Sequence, residues 1–167
     1  SIYHDENGEF SKDNGERAIF FARGVLETVK KLRWAPDVIH CQGWISHILP
    51  IYLKKAYKDD PIFSESKIVL SLYDDTPSAG FPEDFKDKIV FGGVTKADGD
   101  IRSDPTGINL AKLAASYSDG IILGAEGVEE ELVSYSKELG CPMLPYNAEA
   151  MKDGSYIEDY NSFYDNL

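Results

Sequence analysis

Apolar residues in the stretch 16–33 (ERAIFFARGVLETVKKLR) recur at Ile19, Ala22, Leu26 and Val29. This spacing of three or four places one buried face on a helix. Asp13 followed by Glu16 marks its start, and Trp34-Ala35-Pro36 ends it, because the residue before a proline avoids helical geometry. The fifteen or so residues before it are polar and rich in Gly, Asn and Asp, and read as loop. Asp37 to Cys41 is a short apolar run read as a buried strand, broken by Gln42-Gly43. From Trp44 to Tyr57, Trp44, Ile48, Ile51, Tyr52 and Lys55 return at helical intervals until Lys58-Asp59-Asp60-Pro61. Lys67 to Tyr73 (KIVLSLY) reads as a second strand.

Asp74 to Phe91 is turn-rich, with a short helix from Pro82 to Lys88, and Gly92 to Ser103 reads as an exposed, mobile loop. Asp104-Pro105 predicts a helix start, since proline suits the first helical position, and that helix runs to Tyr117. Gly120 to Gly124 is a third, fully apolar strand. Val128, Leu132, Tyr135 and Leu139 mark a further helix closed by Gly140, and Cys141 to Pro145 is a brief extended piece. Ser155 and Glu158 predict a capping box for a last helix, with Ile157, Tyr160, Phe163, Tyr164 and Leu167 on its apolar side.

Helices alternating with strands that lack polar alternation predict a parallel sheet covered on both faces. The expected fold is α/β, a Rossmann-like three-layer α/β/α arrangement with a mostly parallel sheet. Residues 1–167 read as a single domain. It is expected to be partial, because its sheet is short of strands on the N-terminal side and the chain opens on Ser1 rather than Met.

Charge narrows the partners. The 29 acids outweigh 17 bases, leaving a net charge of −12. Such a surface repels nucleic acid and anionic membrane, which are bound chiefly through Lys and Arg. A neutral polysaccharide meets no such penalty. Cys41 and Cys141 sit in no CxxC or metal-ligand spacing and read as reduced, intracellular thiols. No stretch reaches the apolar length of a membrane span, so a cytoplasmic location is expected.

Ligands of open parallel sheets bind at the carboxyl ends of the strands. That rule singles out Gln42 and Trp44, Tyr73 and Asp74, and Glu126. Gln42 and Trp44 can hydrogen-bond and stack on a sugar, while Trp44 equally suits a core anchor for the helix after it. Tyr73, Asp74 and the adjoining Asp75 can bind hydroxyls, or simply end a strand in an Asx turn. Glu126 can act as a base or favour a helix dipole. His40 reads as a satisfied residue within its strand. No catalytic residue, metal site or cofactor follows from these spacings, and neither a GxGxxG nor a Walker-type phosphate loop occurs.

The string from Glu16 to Tyr57, above all Pro36-Asp37-Val38-Ile39-His40-Cys41 followed by Trp44, resembles the glycogen and starch synthase family. The likeness continues at Lys67 to Asp74, at Ile108-Asn109 and Lys112, and at Tyr117-Ser118-Asp119. It implies the N-terminal domain of a two-Rossmann-domain glycosyltransferase. The implied reaction is retaining and metal-free, moving glucose from ADP-glucose to an α-1,4-glucan in glycogen or starch biosynthesis. This chain would supply the acceptor side around Gln42, Trp44, Tyr73 and Asp74, with the nucleotide-sugar domain contributed elsewhere. The departures are specific. Where the family has His-Asp-Trp this chain has Gln42-Gly43-Trp44, where it has His-Asn this chain has Tyr73-Asp74, and where it has Ser-Pro this chain has Ala125-Glu126. They keep open a second reading, a non-catalytic relative that binds glucan or regulates a synthase. A third is an unrelated sugar-nucleotide enzyme of similar architecture. The expected partners are an α-glucan or nucleotide sugar, and a partner domain or a second copy of the chain.

Overall fold

The computed structural model describes residues 2–98 and 105–167. Four parallel strands stand in the order β1 (Val38–Gln42), β2 (Lys67–Leu72), β3 (Gly120–Leu123) and β4 (Met143–Leu144). Successive strands are neighbours, so the crossovers between them lie on one face, as right-handed connections require. The helices are α1 (Asn14–Lys31), α2 (Leu49–Ile51), α3 (Phe85–Lys88), α4 (Gly107–Ser116), α5 (Glu130–Leu139), α6 (Ala148–Asp153) and α7 (Tyr156–Asp165). The Rossmann-like α/β expectation holds.

Register decides what each sheet face presents, because paired residues on parallel neighbours point the same way. Cys41 pairs with Leu70 and Leu70 with Ile121. Their face is packed by Ala18, Ala22 and Leu26 of α1, Ile48, Ile51 and Tyr52, Leu110 and Ala114 of α4, and Leu132 of α5. The opposite face carries His40, Val69 and Gly120 in one row and Gln42, Ser71 and Ile122 in the next. It is covered by α7. Gly120 allows the close approach, since a Cβ there would lie 2.8 Å from Leu167 Cδ2 and 2.9 Å from Phe163 Cε1.

Several sequence expectations are corrected. The continuous helix from Trp44 to Tyr57 is instead a 3₁₀ turn (Trp44–Ser46), the short α2 and a π turn (Tyr52–Ala56). Pro50 has no N–H to continue a regular ladder, and the π bond from Tyr57 N–H to the Tyr52 carbonyl (2.9 Å) turns both tyrosines inward. Tyr52 then donates to the Ile89 carbonyl, and Tyr57 to Glu27. The helix predicted from Asp104-Pro105 begins at Gly107, capped by the Thr106 hydroxyl, which accepts from Asn109 N–H; Asp104 lies outside the described residues. The Ser155–Glu158 capping box does not form: Ser155 is itself helical in backbone and makes no side-chain cap, while Asp153 accepts from its N–H. Ile157, expected on the apolar side of α7, is exposed. Helix α6, with Asn147 as its cap, had no sequence prediction.

The loop expected to be exposed from Gly92 to Ser103 is docked in its first half, and residues 99–103 lie outside the described residues. Val94 is buried, and Gly92 and Gly93 approach Ala56 and the Lys55 carbonyl so closely that a Cβ would lie 2.9 Å away in each case.

Residues that carry the family likeness hold the scaffold. The Asp119 carboxylate accepts from Ile68 N–H (2.8 Å) and from Lys54 Nζ (3.0 Å), tying the head of β2 to the π turn. Lys112, almost fully buried, pairs with Glu131 and joins α4 to α5. Cys41 and Cys141 are free thiols.

Candidate functional site

The carboxyl ends of β1, β2 and β3 come together as expected. A Cβ on Gly43 would lie 3.5 Å from Asp75 Oδ2, one on Gly127 would lie 3.4 Å from Asp74 Cβ, and Gly124 sits directly against the Tyr73 ring. A cleft of about 340 Å³ opens beside the first two strand ends, bounded by Tyr3, His4, Trp44, Asp74, Asp75 and the turn from Thr76 to Ala79.

Backbone contacts hold the turn in place. Asp75 Oδ2 accepts from Trp44 N–H at 3.0 Å, capping the 3₁₀ turn. Gly43 supplies the positive φ of 78° that the chain needs on leaving β1. On its far side the turn leans on α4: Phe81 N–H donates to the Pro105 carbonyl at 2.7 Å, and Gly107 is so close to Pro77 that a Cβ would stand 2.3 Å from its carbonyl oxygen.

Besides Asp75, five sequence candidates separate by position. Trp44 is only 5% exposed, clustered with Tyr3, Phe10 and Phe81 at ring separations of 5.0–6.0 Å. Its core-anchor reading is the one observed, and the indole floors the cleft. Asp74 is exposed at the rim. Gln42 and Tyr73 stand beside the cleft rather than in it, on the sheet face turned toward α7, with the Tyr73 hydroxyl donating to Gln42 Oε1 at 3.3 Å. Glu126 is exposed on the turn after β3 and lines no part of the cleft.

Behind Gln42 lies a polar network that no sequence spacing announces. His40 Nε2 is 2.6 Å from Ser71 Oγ, and His40 Nδ1 is 2.6 Å from the Tyr164 hydroxyl and 3.5 Å from Gln42 Nε2. A tyrosine hydroxyl and an amide nitrogen both donate toward Nδ1, so the network assigns the proton to Nε2, donating to Ser71. Burial pushes the His40 pKa down, in keeping with that neutral form. Burial likewise raises the Tyr160 and Tyr164 hydroxyls, with the nearby Tyr73 adding to both. Ser71 is fully buried and cannot reach a substrate. Ser71 and Tyr164 are not among the sequence candidates, and Asp75, read from the sequence as a hydroxyl binder beside Tyr73 and Asp74, is engaged by the Trp44 N–H. The pattern flagged Tyr164 only as an apolar residue of the last helix.

Among the described residues, no three His, Cys, Asp or Glu side chains gather as a metal-ligand set. Among the described residues no Lys or Arg lines the cleft, so they offer a phosphate no ready partner. It offers carboxylates, hydroxyls and an aromatic floor, the equipment for hydroxyl-rich neutral ligands.

Residues 1–144 match the family model described as the starch synthase catalytic domain. The chain belongs to this starch synthase family. A glycogen synthase of Clostridium perfringens is 30% identical over 151 residues, covering 90% of this chain and 30% of that protein. One from Chlorobium limicola is 46% identical over 67 residues, 40% of this chain and 14% of that protein. The chain thus spans at most about a third of the length of these curated relatives. The catalytic domain of starch synthase IV from Arabidopsis thaliana superposes with a TM-score of 0.61 at 14% identity, over 81% of this chain and 30% of that one. At that identity the starch synthase likeness in three dimensions concerns the fold. Among the described residues, no helix is long and apolar enough to cross a membrane.

Proposed function

We propose that this chain forms the acceptor-side half of a glucosyltransferase that extends an α-1,4-glucan from ADP-glucose. In this reading Asp74 holds glucan hydroxyls above the Trp44 floor, the hydrogen-bonded pair Gln42–Tyr73 holds those that extend beside the cleft, and a second domain holds the donor. Glu126 lies on the neighbouring turn, where it would face an acceptor extending past β3. The observation that carries the reading is the cleft at adjoining strand tips, lined among the described residues by no Lys or Arg, in a member of this family. A solved relative bound to ADP and acarbose, a nucleotide and an oligosaccharide, is in keeping with it. Transfer between two substrates needs both sides of a cleft in register, so the chain by itself would bind acceptor without turning over.

The non-catalytic reading is favoured by one feature: Gln42-Gly43 stands where the family pattern has His-Asp, and the Gln42 amide is engaged by Tyr73 and His40. Titrating the isotope-labelled chain with maltotriose tests the first claim. The amide signals of Gln42, Tyr73 and Asp74 should shift, and Asp74→Ala should weaken binding about tenfold, the worth of one charge-assisted hydrogen bond. Unmoved strand-tip signals at saturating sugar would sink it. Chain extension from ADP-glucose and maltotriose by the purified chain alone would eliminate the non-catalytic reading.

A further inference from the structure

A second cavity, of about 430 Å³, lies at the other end of the sheet, over the tips of β3 and β4 at Leu123 and Leu144. One wall is α7, where Tyr156 and Tyr160 stand one turn apart with ring centroids 5.3 Å apart at 72°, beside Asp159. The other wall is the start of α6, with Tyr146, Asn147 and Glu149. All but its floor, Leu123 and Leu144, falls beyond the residues matched by the family model.

From this lining we infer that the cavity is a separate binding site for a neutral sugar ring. Among the described residues it holds two carboxylates and no Lys or Arg, so a phosphate or carboxylate ligand finds no countercharge there. The three tyrosines are half-buried, presenting apolar ring surface together with a hydroxyl. Asn147 Oδ1 is engaged with Ala150 N–H, which leaves its Nδ2 as a donor. Glu149 and Asp159 supply acceptors. Apolar surface flanked by acceptors and an amide donor matches a sugar, which has C–H faces and a hydroxyl rim. An ammonium ligand would also tolerate aromatic and acidic walls. It is disfavoured by size, because the volume falls in the range of whole-ligand pockets rather than of a headgroup cage. Tyr160 joins the two ends of the molecule. It lines this cavity and packs against the His40 ring at a centroid distance of 5.8 Å, next to Gln42 and Tyr73. A ring held here therefore extends the ligand-binding surface along the strand tips.

The preference for a neutral sugar rests on the lining alone. The choice of an α-glucan rests on the function proposed above. The test uses the same labelled chain with three probes added separately: maltotriose, choline and inorganic phosphate. Maltotriose should move the amide signals of residues 146–160, while choline and phosphate leave them unmoved. Tyr156→Ala and Asp159→Asn should each weaken the response at residues 146–160 by about fivefold to tenfold and leave that at Asp74 unchanged. If maltotriose shifts the Asp74 region but not residues 146–160, this site falls and the acceptor reading stands. If only residues 146–160 respond, the reverse holds. A response to choline or phosphate at the cavity, or none to maltotriose anywhere, overturns the inference.

Discussion

Trp44 N–H and the Asp75 carboxylate hold the first two strand tips together, and the indole fixes the cleft floor from below. Trp44→Ala should cost about 3–5 kcal/mol, the range for emptying an aromatic site in a packed core. A urea midpoint measures it, and an unchanged midpoint would put the indole outside the core. A second residue-scale effect concerns pH. His47 is fully buried, its Nδ1 finds no partner among the described residues, and burial lowers its pKa from 6.5 to about 4. The fold therefore favours the neutral ring. Its contribution is intact above pH 6.5 and is lost as pH falls from there through 4, at roughly 3 kcal/mol in total. His40, lowered for the same reason, acts with the same sign. His47→Leu should lose less stability than the parent between pH 7 and pH 4.5, and an equal loss in both would refute the assignment.

At the scale of elements, α7 is the segment whose placement matters most. It reaches the sheet through Phe163 and Leu167 against Gly120, and through Tyr164 at His40. Gly120→Ala drives a methyl into Phe163 and Leu167 and should cost about 1–3 kcal/mol by overpacking. The damage should localise: amide exchange in residues 156–165 should accelerate far more than in α4. A uniform acceleration would mean that α7 is not a separately docked element. The periodicity of α1 and α5 was readable because each buries one stripe against the same sheet face. The segment after Gly43 was misread because Pro50 and the π turn change its register partway, so apolar spacing alone described a helix that the backbone does not make. Helix α6 has only Ala150 buried, and one inward residue in six produces no period to detect.

The whole molecule carries a net charge of −12, yet its two sugar-site candidates are the places where charge should matter least to the ligand. Maltotriose affinity should stay constant between about 20 and 300 mM salt, because a neutral ligand releases no counterions. A steep salt dependence, or retention on an anionic polymer such as heparin, would point to a charged partner instead. The surface near α1 is mixed in charge, with Phe20 80% exposed among Glu16, Arg23, Glu27 and Lys88.

The sequence by itself determined the parallel α/β architecture, the three principal strands and the family. These rest on local patterns: unbroken apolar runs for strands covered on both sides, single stripes for helices, and a string ending in His40-Cys41 and Trp44. Tertiary structure alone decided where the candidate residues sit and what they touch. It sank Trp44 into an aromatic cluster, gave Asp75 rather than Asp74 the anchoring contact, turned Gln42 toward Tyr73 and set Glu126 apart. It also joined His40, Ser71 and Tyr164, residues separated by up to 124 positions. Such pairings depend on strand register and on where α7 returns to the sheet, and neither leaves a trace in local spacing.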